Sequence, residues 1–268
     1  MKYVLLIFVF ICSVFTTKAQ KRKIVYGNNH LAGHYFKSRG IKIYYETYGK
    51  GRPLLLLHGN GGSMAAFKHQ IPYFARHYHI IAVDSRAQGK SVDPQDSLSY
   101  DMMADDFDAL LDHLHVKSCN VIGWSDGGID GLLLAIRHPD KVKALAVTGA
   151  NLAPDSSAFG SKDYNDMLAE DARLKKLAVD AKGKHDYKLL HLMVVEPHLK
   201  PEDLKQIHCP TLVIGGDHDL IPTHHTMLIA ESIPGAYLWI LPDSGHDTLI
   251  KYKNDFNHRV DRFFREGK

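Results

Sequence analysis

Gly123-Trp124-Ser125-Asp126-Gly127 sets a serine midway between two glycines, directly after the apolar stretch Val121-Ile122 and directly before Gly128 and a helix-compatible run. A serine on a sharp strand-to-helix turn has crowded backbone angles, so small residues are needed two positions to either side. The strained turn pushes its hydroxyl out to where a base can reach it. A serine hydroxyl is a poor nucleophile until a base takes its proton. The base in turn needs an acid that holds its tautomer and stabilises its charge. Both partners follow in the chain, in the order serine, acid, histidine. Leu212-Val213-Ile214-Gly215-Gly216-Asp217-His218-Asp219 puts two acids just past an apolar run, and Leu241-Pro242-Asp243-Ser244-Gly245-His246 puts a histidine just past the next one. These residues point to acyl transfer, with Ser125 as nucleophile, Asp219 as acid and His246 as base. Asp217 competes for the acid role. Asp219, beside Leu220-Ile221-Pro222, lies deeper in its loop.

A tetrahedral intermediate needs two backbone donors for its oxyanion. One is expected from the Asp126 amide at the helix start. The other is expected from His58-Gly59-Asn60-Gly61-Gly62, where glycines let the backbone approach a substrate closely. The Asn60 amide is the first choice and Gly61 the alternative. His58 reads as a structural hydrogen bonder under that loop. His30 and His34 have the spacing of a helical metal pair, but they sit in a glycine-containing, irregular stretch with no carboxylate or cysteine set around them, so no metal site is assigned. The chemistry requires no metal or organic cofactor.

The elements that must position these residues alternate. Ile41 to Tyr48, the turn Gly49 to Pro53 and Leu54 to His58 read as a hairpin. A helix over Ser63 to Tyr78, capped by Ser63, precedes a buried strand at His79 to Val83. Tyr100 to His115 has apolar spacing of three and four with acids on its other face, which predicts a helix packed on a sheet. Asn120 to Gly123 is the strand before the serine, Gly127 to His138 the helix after it, and Lys143 to Thr148 another strand. Leu212 to Gly215, Thr223 to Ser232, Ala236 to Leu241 and Thr248 to Arg265 complete a strand–helix–strand–helix tail. The strands are short, apolar and unalternating, as in a parallel sheet buried on both faces. The expected fold is a doubly wound α/β sheet with an N-terminal antiparallel hairpin. Residues 150–207 break this rhythm with charge and few strand signals, and Tyr164 to Ala181 and Asp186 to Val195 could be helices within them. So long an excursion inside a compact domain is usually functional. It is expected to be a lid inserted into a core formed by residues 20–149 and 208–268.

The chain of 268 residues suits one large domain with a sizeable core. Met1-Lys2, the apolar run Val4 to Phe15 and Thr17-Lys18-Ala19 read as a secretory signal peptide over residues 1–19, cleaved after Ala19. The run is too short to span a bilayer. The protein is therefore expected to be exported, periplasmic or secreted, with no stable membrane insertion afterwards. Cleavage lowers the formal charge from +3 to +1, leaving no electrostatic footprint for nucleic acid. Cys119 and Cys209, at the starts of buried strands, read as small core residues rather than a disulfide.

Taken together, His58-Gly59-Asn60-Gly61-Gly62, Asp84-Ser85-Arg86-Ala87-Gln88-Gly89-Lys90-Ser91, the serine turn, Asp219 and His246 resemble the α/β-hydrolase superfamily over nearly the whole mature chain. Gly123-Trp124-Ser125-Asp126-Gly127-Gly128-Ile129 and Thr148-Gly149-Ala150-Asn151 are similar to the biphenyl hydrolase-like group, which includes valacyclovir hydrolase. That resemblance implies an α/β-hydrolase fold with a helical lid and a substrate site involving Asp126, Trp124 and Asn151. It further implies that Asp126 recognises the α-amino group of amino-acid esters. A carboxylate beside the nucleophile would attract cationic acyl groups and repel anionic ones. Asp126 could equally serve the helix that begins there, since acids favour that end. The signal peptide and the glycine-richer oxyanion loop depart from the group.

The expected function is hydrolysis of a small carboxylic ester through an acyl-enzyme, with a small-molecule partner. Hydrolysis of an amide or a carbon–carbon bond on the same three residues, and a non-catalytic receptor on the same fold, are the alternatives.

Overall fold

The computed structural model describes residues 24–267; the expected signal peptide lies outside them. Eight strands form one sheet: β1 (Gly33–Ser38), β2 (Ile41–Tyr48), β3 (Arg52–Leu57), β4 (Tyr78–Val83), β5 (Cys119–Trp124), β6 (Val142–Thr148), β7 (Thr211–Gly216) and β8 (Tyr237–Leu241). Their spatial order is β1-β2-β4-β3-β5-β6-β7-β8, and every pairing from β4 to β8 is parallel.

The helices are α1 (Ile71–Phe74), α2 (Tyr100–His113), α3 (Asp126–Arg137), α4 (Ser161–Leu177), α5 (Ala181–Val195), α6 (Thr223–Ser232), α7 (Thr248–Lys251) and α8 (Lys253–Glu266), with short 3-10 turns at Met64–Phe67 and Asp203–Gln206. The central strand β3 shows why the sheet is covered twice. Side chains alternate between faces along a strand. Leu55 and Leu57 face a core built with Tyr100, Met103 and Phe107 of α2 and Ile129 and Leu132 of α3. Leu54 and Leu56 face a second core built with Ile71 and Phe74 of α1 and Phe256, Val260 and Phe263 of α8. All four leucines are fully buried, so no polar alternation could appear in the sequence.

The expected hairpin is assigned to different strands. β2 pairs antiparallel with β1 on one side and β4 on the other, and not with β3. The turn after β2 crosses the chain that leads into β4: a Cβ on Gly49 would collide with the carbonyls of Ala75 and Tyr78, and one on Gly51 with that of His77. β3 is thereby carried past β4 into the centre of the sheet, where it is buried on both faces. β1 occupies a stretch that reads as irregular. His34 lies on this extended strand, against the Tyr45 ring, so the i,i+4 spacing from His30 does not bring two imidazoles to one helix face.

Helix boundaries also differ, and α5 begins at Ala181 rather than Asp186. The single helix expected over Ser63 to Tyr78 is a 3-10 turn capped by Ser63 followed by α1. Pro72 brings no amide to the first turn of α1, and the Gln70 side chain is drawn away to Leu249 O and Asn257 Oδ1. The helix expected to run from Tyr164 to Ala181 ends at Leu177, because Asp180 caps α5 by accepting from the Gly183 amide. The last expected helix is broken at Tyr252 into α7 and α8.

α4 and α5 lie in the excursion between β6 and β7. α4 buries no residue, whereas α5 buries Leu189 and Leu192. Cys119 is buried and Cys209 half-buried, and both are free thiols. No described helix is long and apolar enough to cross a membrane.

Candidate active site

Ser125 stands at the carboxyl end of β5, where α/β sheets place their ligands. Its backbone has φ 56° and ψ −120°, a conformation that costs a non-glycine residue of order 1–3 kcal/mol. The turn survives because its neighbours are bare. A Cβ on Gly123 would collide with the Gly127 carbonyl, and one on Gly127 with the Leu57 carbonyl. The Ser125 amide donates to Thr148 O at 2.8 Å, and Ser125 O accepts from Gly128 and Ile129.

The two loops beyond β7 and β8 bring the partners in. His246 Nε2 is 2.8 Å from Ser125 Oγ, and His246 Nδ1 is 2.6 Å from Asp219 Oδ1. The Asp219 side chain is fully buried; it also accepts from the Ile221 amide at 3.1 Å. With the carboxylate at Nδ1, that nitrogen carries the proton and Nε2 is free to accept from the serine. Asp217 faces elsewhere. It accepts from the Ser244 amide at 3.0 Å, which pulls its carboxyl below the usual range, and its side chain is 39% exposed. Asp217 thus fastens the two loops to each other. Gly149 (φ 66°) leaves room for the imidazole: a Cβ there would stand 2.6 Å from His246 Cε1.

Trp124 is not on the wall of the cavity above the serine. Its indole N–H donates to His246 O at 2.8 Å, so the ring supports the histidine loop. Asn151 does line that cavity, and its Nδ2 donates to Ala153 O at 3.0 Å.

The loop at residues 58–62 passes beside the serine, and a Cβ on Gly59 would lie 3.0 Å from Ser125 Cβ. His58 sits beneath it, fully buried. The Ser85 amide donates to His58 Nε2 at 3.1 Å, so Nδ1 is the donor to Gly59 O at 2.8 Å. Burial lowers this imidazole's pKa and keeps it neutral. Neither the Asn60 nor the Asp126 amide donates to a main-chain carbonyl among the described residues. Gly61 has φ 65° and open space where a Cβ would be.

The Asp126 carboxylate stands in the first turn of α3. It accepts from Asn60 Nδ2 at 2.8 Å, and burial pushes its pKa up to about 6. One turn on, Asp130 is fully buried, and neither of its carboxyl oxygens has a partner among the described residues. Burial, with Asp126 adding, pushes its pKa well above the ordinary range, so it is held neutral.

The cavity over Ser125 is nearly closed, with a volume of about 10 Å³. Tyr100, Phe159, Met193, Glu196, Leu220 and Ile221 complete its wall, with no lysine or arginine among the lining residues. Tyr100 comes from the start of α2, Phe159, Met193 and Glu196 from the excursion, and Leu220 and Ile221 from the loop after β7. A larger groove, about 610 Å³, runs between residues 93–98 and another face of α5, and holds none of the three central residues. Among the described residues no group of three or more His, Cys, Asp or Glu could hold a metal ion.

A sheet of this order, with a strained serine at the end of its fifth strand, defines a class of hydrolases. The model of the α/β hydrolase fold family matches residues 52–186, and the chain belongs to that family. The mouse protein called serine hydrolase BPHL is 28% identical over 249 residues, covering 84% of each chain. The 3-oxoadipate enol-lactonase 2 of Acinetobacter baylyi is 27% identical over 251 residues, covering 84% of this chain and 93% of that one. Among solved structures, an N-acyl homoserine lactone degrading enzyme superposes with TM-score 0.71 at 26% identity, over 86% of this chain and all of the other. The protein is an α/β hydrolase that resembles this serine hydrolase.

Proposed function

We propose that this protein hydrolyses a small carboxylic ester through an acyl-enzyme, and that it prefers acyl groups bearing an α-amino group. The observation that carries the reading is the continuous hydrogen-bonded chain from Asp219 through His246 to Ser125. His246 Nε2 takes the Ser125 proton as Oγ attacks the ester carbonyl. The Asn60 and Asp126 amides receive the oxyanion, and His246 passes the proton to the leaving alcohol. His246 then draws a proton from water, the hydroxide attacks the acyl-enzyme, and Ser125 recovers its proton as the acid leaves.

The amino preference rests on charge. Asp126 is a buried carboxylate beside the nucleophile, Glu196 is a second carboxylate on the same wall, and no basic side chain other than His246 faces them. A compact ammonium suits such a cavity, and an anionic acyl group does not. Residues 150–207 act as the lid, with α5 supplying Met193 as part of the roof. Residues 1–19 serve as an export signal, so the reaction takes place outside the cytoplasm.

The test is hydrolysis of paired p-nitrophenyl esters, one with a simple acyl chain and one with an α-amino acyl group, by the mature protein and by Ser125→Ala. Ser125-dependent turnover with preference for the amino ester is the expected result. Preference for the neutral ester would leave a general carboxylesterase. The lactonase relative makes an enol-lactone the first substrate to try if neither ester is turned over. Failure of a fluorophosphonate to label Ser125 would move the protein to a ligand receptor on this fold.

A further inference from the structure

The formal charge of the chain is only +3, yet its cations are not spread evenly. β3 and β4 begin side by side, with Arg52 paired to Tyr78, at the end of the sheet opposite Ser125. Two hollows open there. One, of about 690 Å³, lies between Arg52, Arg76, His77 and Arg265. The other, of about 320 Å³, lies between Arg76, His69 and Lys253. Tyr73 and Arg76 line both, so the two hollows form one groove.

Four cations in this groove face one carboxylate, Asp261. That carboxylate is already engaged. It accepts from the Tyr78 hydroxyl at 2.9 Å and pairs with Arg265 at 3.3 Å. Arg52, Arg76 and Lys253 make no ion pair among the described residues, and Asp255, the next acid on α8, lines neither hollow. The crowding of charge is felt by His69, whose pKa is lowered by burial and then by Lys253 and Lys68. Like charges held together weaken the folded state unless a counter-charge joins them.

Arg76 is also held ready. Its Nε donates to Tyr73 O at 2.9 Å, and its guanidinium lies 4.4 Å from the centroid of the Tyr73 ring. The His258 ring meets that tyrosine from its other neighbour in space, at 5.6 Å between centroids. A stacked arginine has less rotamer freedom to lose when a ligand arrives. Its two terminal nitrogens have no partner among the described residues. Guanidinium forks match phosphate oxygens two at a time. A single small anion would fill neither hollow and would leave most of the cations uncompensated.

We propose that this groove binds a ligand presenting two or more phosphate groups, held by Arg52 in one hollow, Lys253 in the other and Arg76 between them. The phosphates belong to a soluble polyphosphate compound or to neighbouring lipid headgroups at a membrane surface. The groove lies at the far end of the sheet from Ser125, so it serves docking rather than the ester reaction and stands whether or not that reaction is the right one.

The experiment titrates pyrophosphate at low salt into wild type, Arg52→Gln, Arg76→Gln and, as a control on exposed α4, Lys162→Gln, with citrate as a carboxylate comparison. Both arginines are exposed, so the variants should fold, and their melting curves check this. Wild type should bind pyrophosphate with a Kd below about 1 mM and lose it as salt rises. Each arginine substitution should weaken binding about tenfold, and Lys162→Gln should leave it unchanged. Sedimentation with phosphatidylglycerol vesicles, against phosphatidylcholine alone, separates the sources. Arginine-dependent pelleting that pyrophosphate reverses supports lipid headgroups, and pyrophosphate binding without pelleting supports a soluble ligand. No binding of pyrophosphate, equal binding by both arginine variants and wild type, or citrate bound as tightly overturns the proposal.

Discussion

The indole N–H of Trp124 donates to the carbonyl of His246 at 2.8 Å, so the residue before the serine carries the loop of the histidine that bonds to it. The two ring centroids are 6.1 Å apart, close enough for the indole to limit how far the imidazole can tilt. Ser125 and His246 are thus linked twice, once through Oγ and once through the backbone behind the ring.

Trp124→Phe keeps most of the ring and removes the donor. A net hydrogen bond contributes about 0.5–1.5 kcal/mol, so kcat/KM should fall by about two- to tenfold. Steady-state kinetics on a neutral ester checks this. An unchanged value would mean that the loop holds its place without the indole.

The acid can be assigned by a pair of substitutions. Asp219→Asn leaves His246 without a buried carboxylate at Nδ1 and should lower kcat by at least about a hundredfold. Asp217→Asn weakens only a clamp on the Ser244 amide and should cost about threefold or less. The reverse ranking would exchange their roles.

The pH dependence of binding follows from Asp126, whose pKa is raised to about 6 by burial. Below that pH the carboxyl is neutral and a cationic acyl group loses its partner. KM for an α-amino ester should therefore rise relative to KM for a neutral ester as the pH falls from 7 to 5. Asp126→Asn should abolish the difference. The same shift has a stability sign. The folded pKa lies above the unfolded value of 3.8, so folded protein binds this proton more tightly and stability falls as the pH rises from 3.8 through about 6. Asp126→Asn should accordingly melt higher than wild type at pH 7 and close to wild type at pH 4. Equal melting temperatures at pH 7 would count against the buried, ionised carboxylate.

Strain at Ser125 can be measured by comparing two variants. Ser125→Ala keeps a Cβ at φ 56°, whereas Ser125→Gly relieves it. The glycine variant should melt above the alanine variant by about 2–4 °C, despite its greater unfolded-chain entropy. A lower melting temperature for the glycine variant would show that the turn stores no strain.

The residues of the chemistry are legible along the chain because their constraints are local. Glycines at 123 and 127 are demanded by backbone crowding within a few residues of Ser125, and that crowding is written into the sequence as a pattern. The parallel sheet is legible for a similar reason: strands such as Leu54 to Leu57, buried on both faces, need apolar side chains on both. The order serine, acid, histidine then follows from successive strand ends.

Other features depend on distance in space rather than in sequence. The partner of β2 was decided by β4 crossing behind Gly49 and Gly51, a collision that no turn propensity encodes. The place of Trp124 was decided by a carbonyl 122 positions later in the chain, and the side chain of Asn60 reaches a carbonyl 129 positions later. Sequence alone determined which residues could attack, take the proton and carry the charge, because backbone sterics and burial act locally and leave a pattern. Only the tertiary structure decided what surrounds them, because a hydrogen bond or a cavity wall joins groups that sequence keeps far apart.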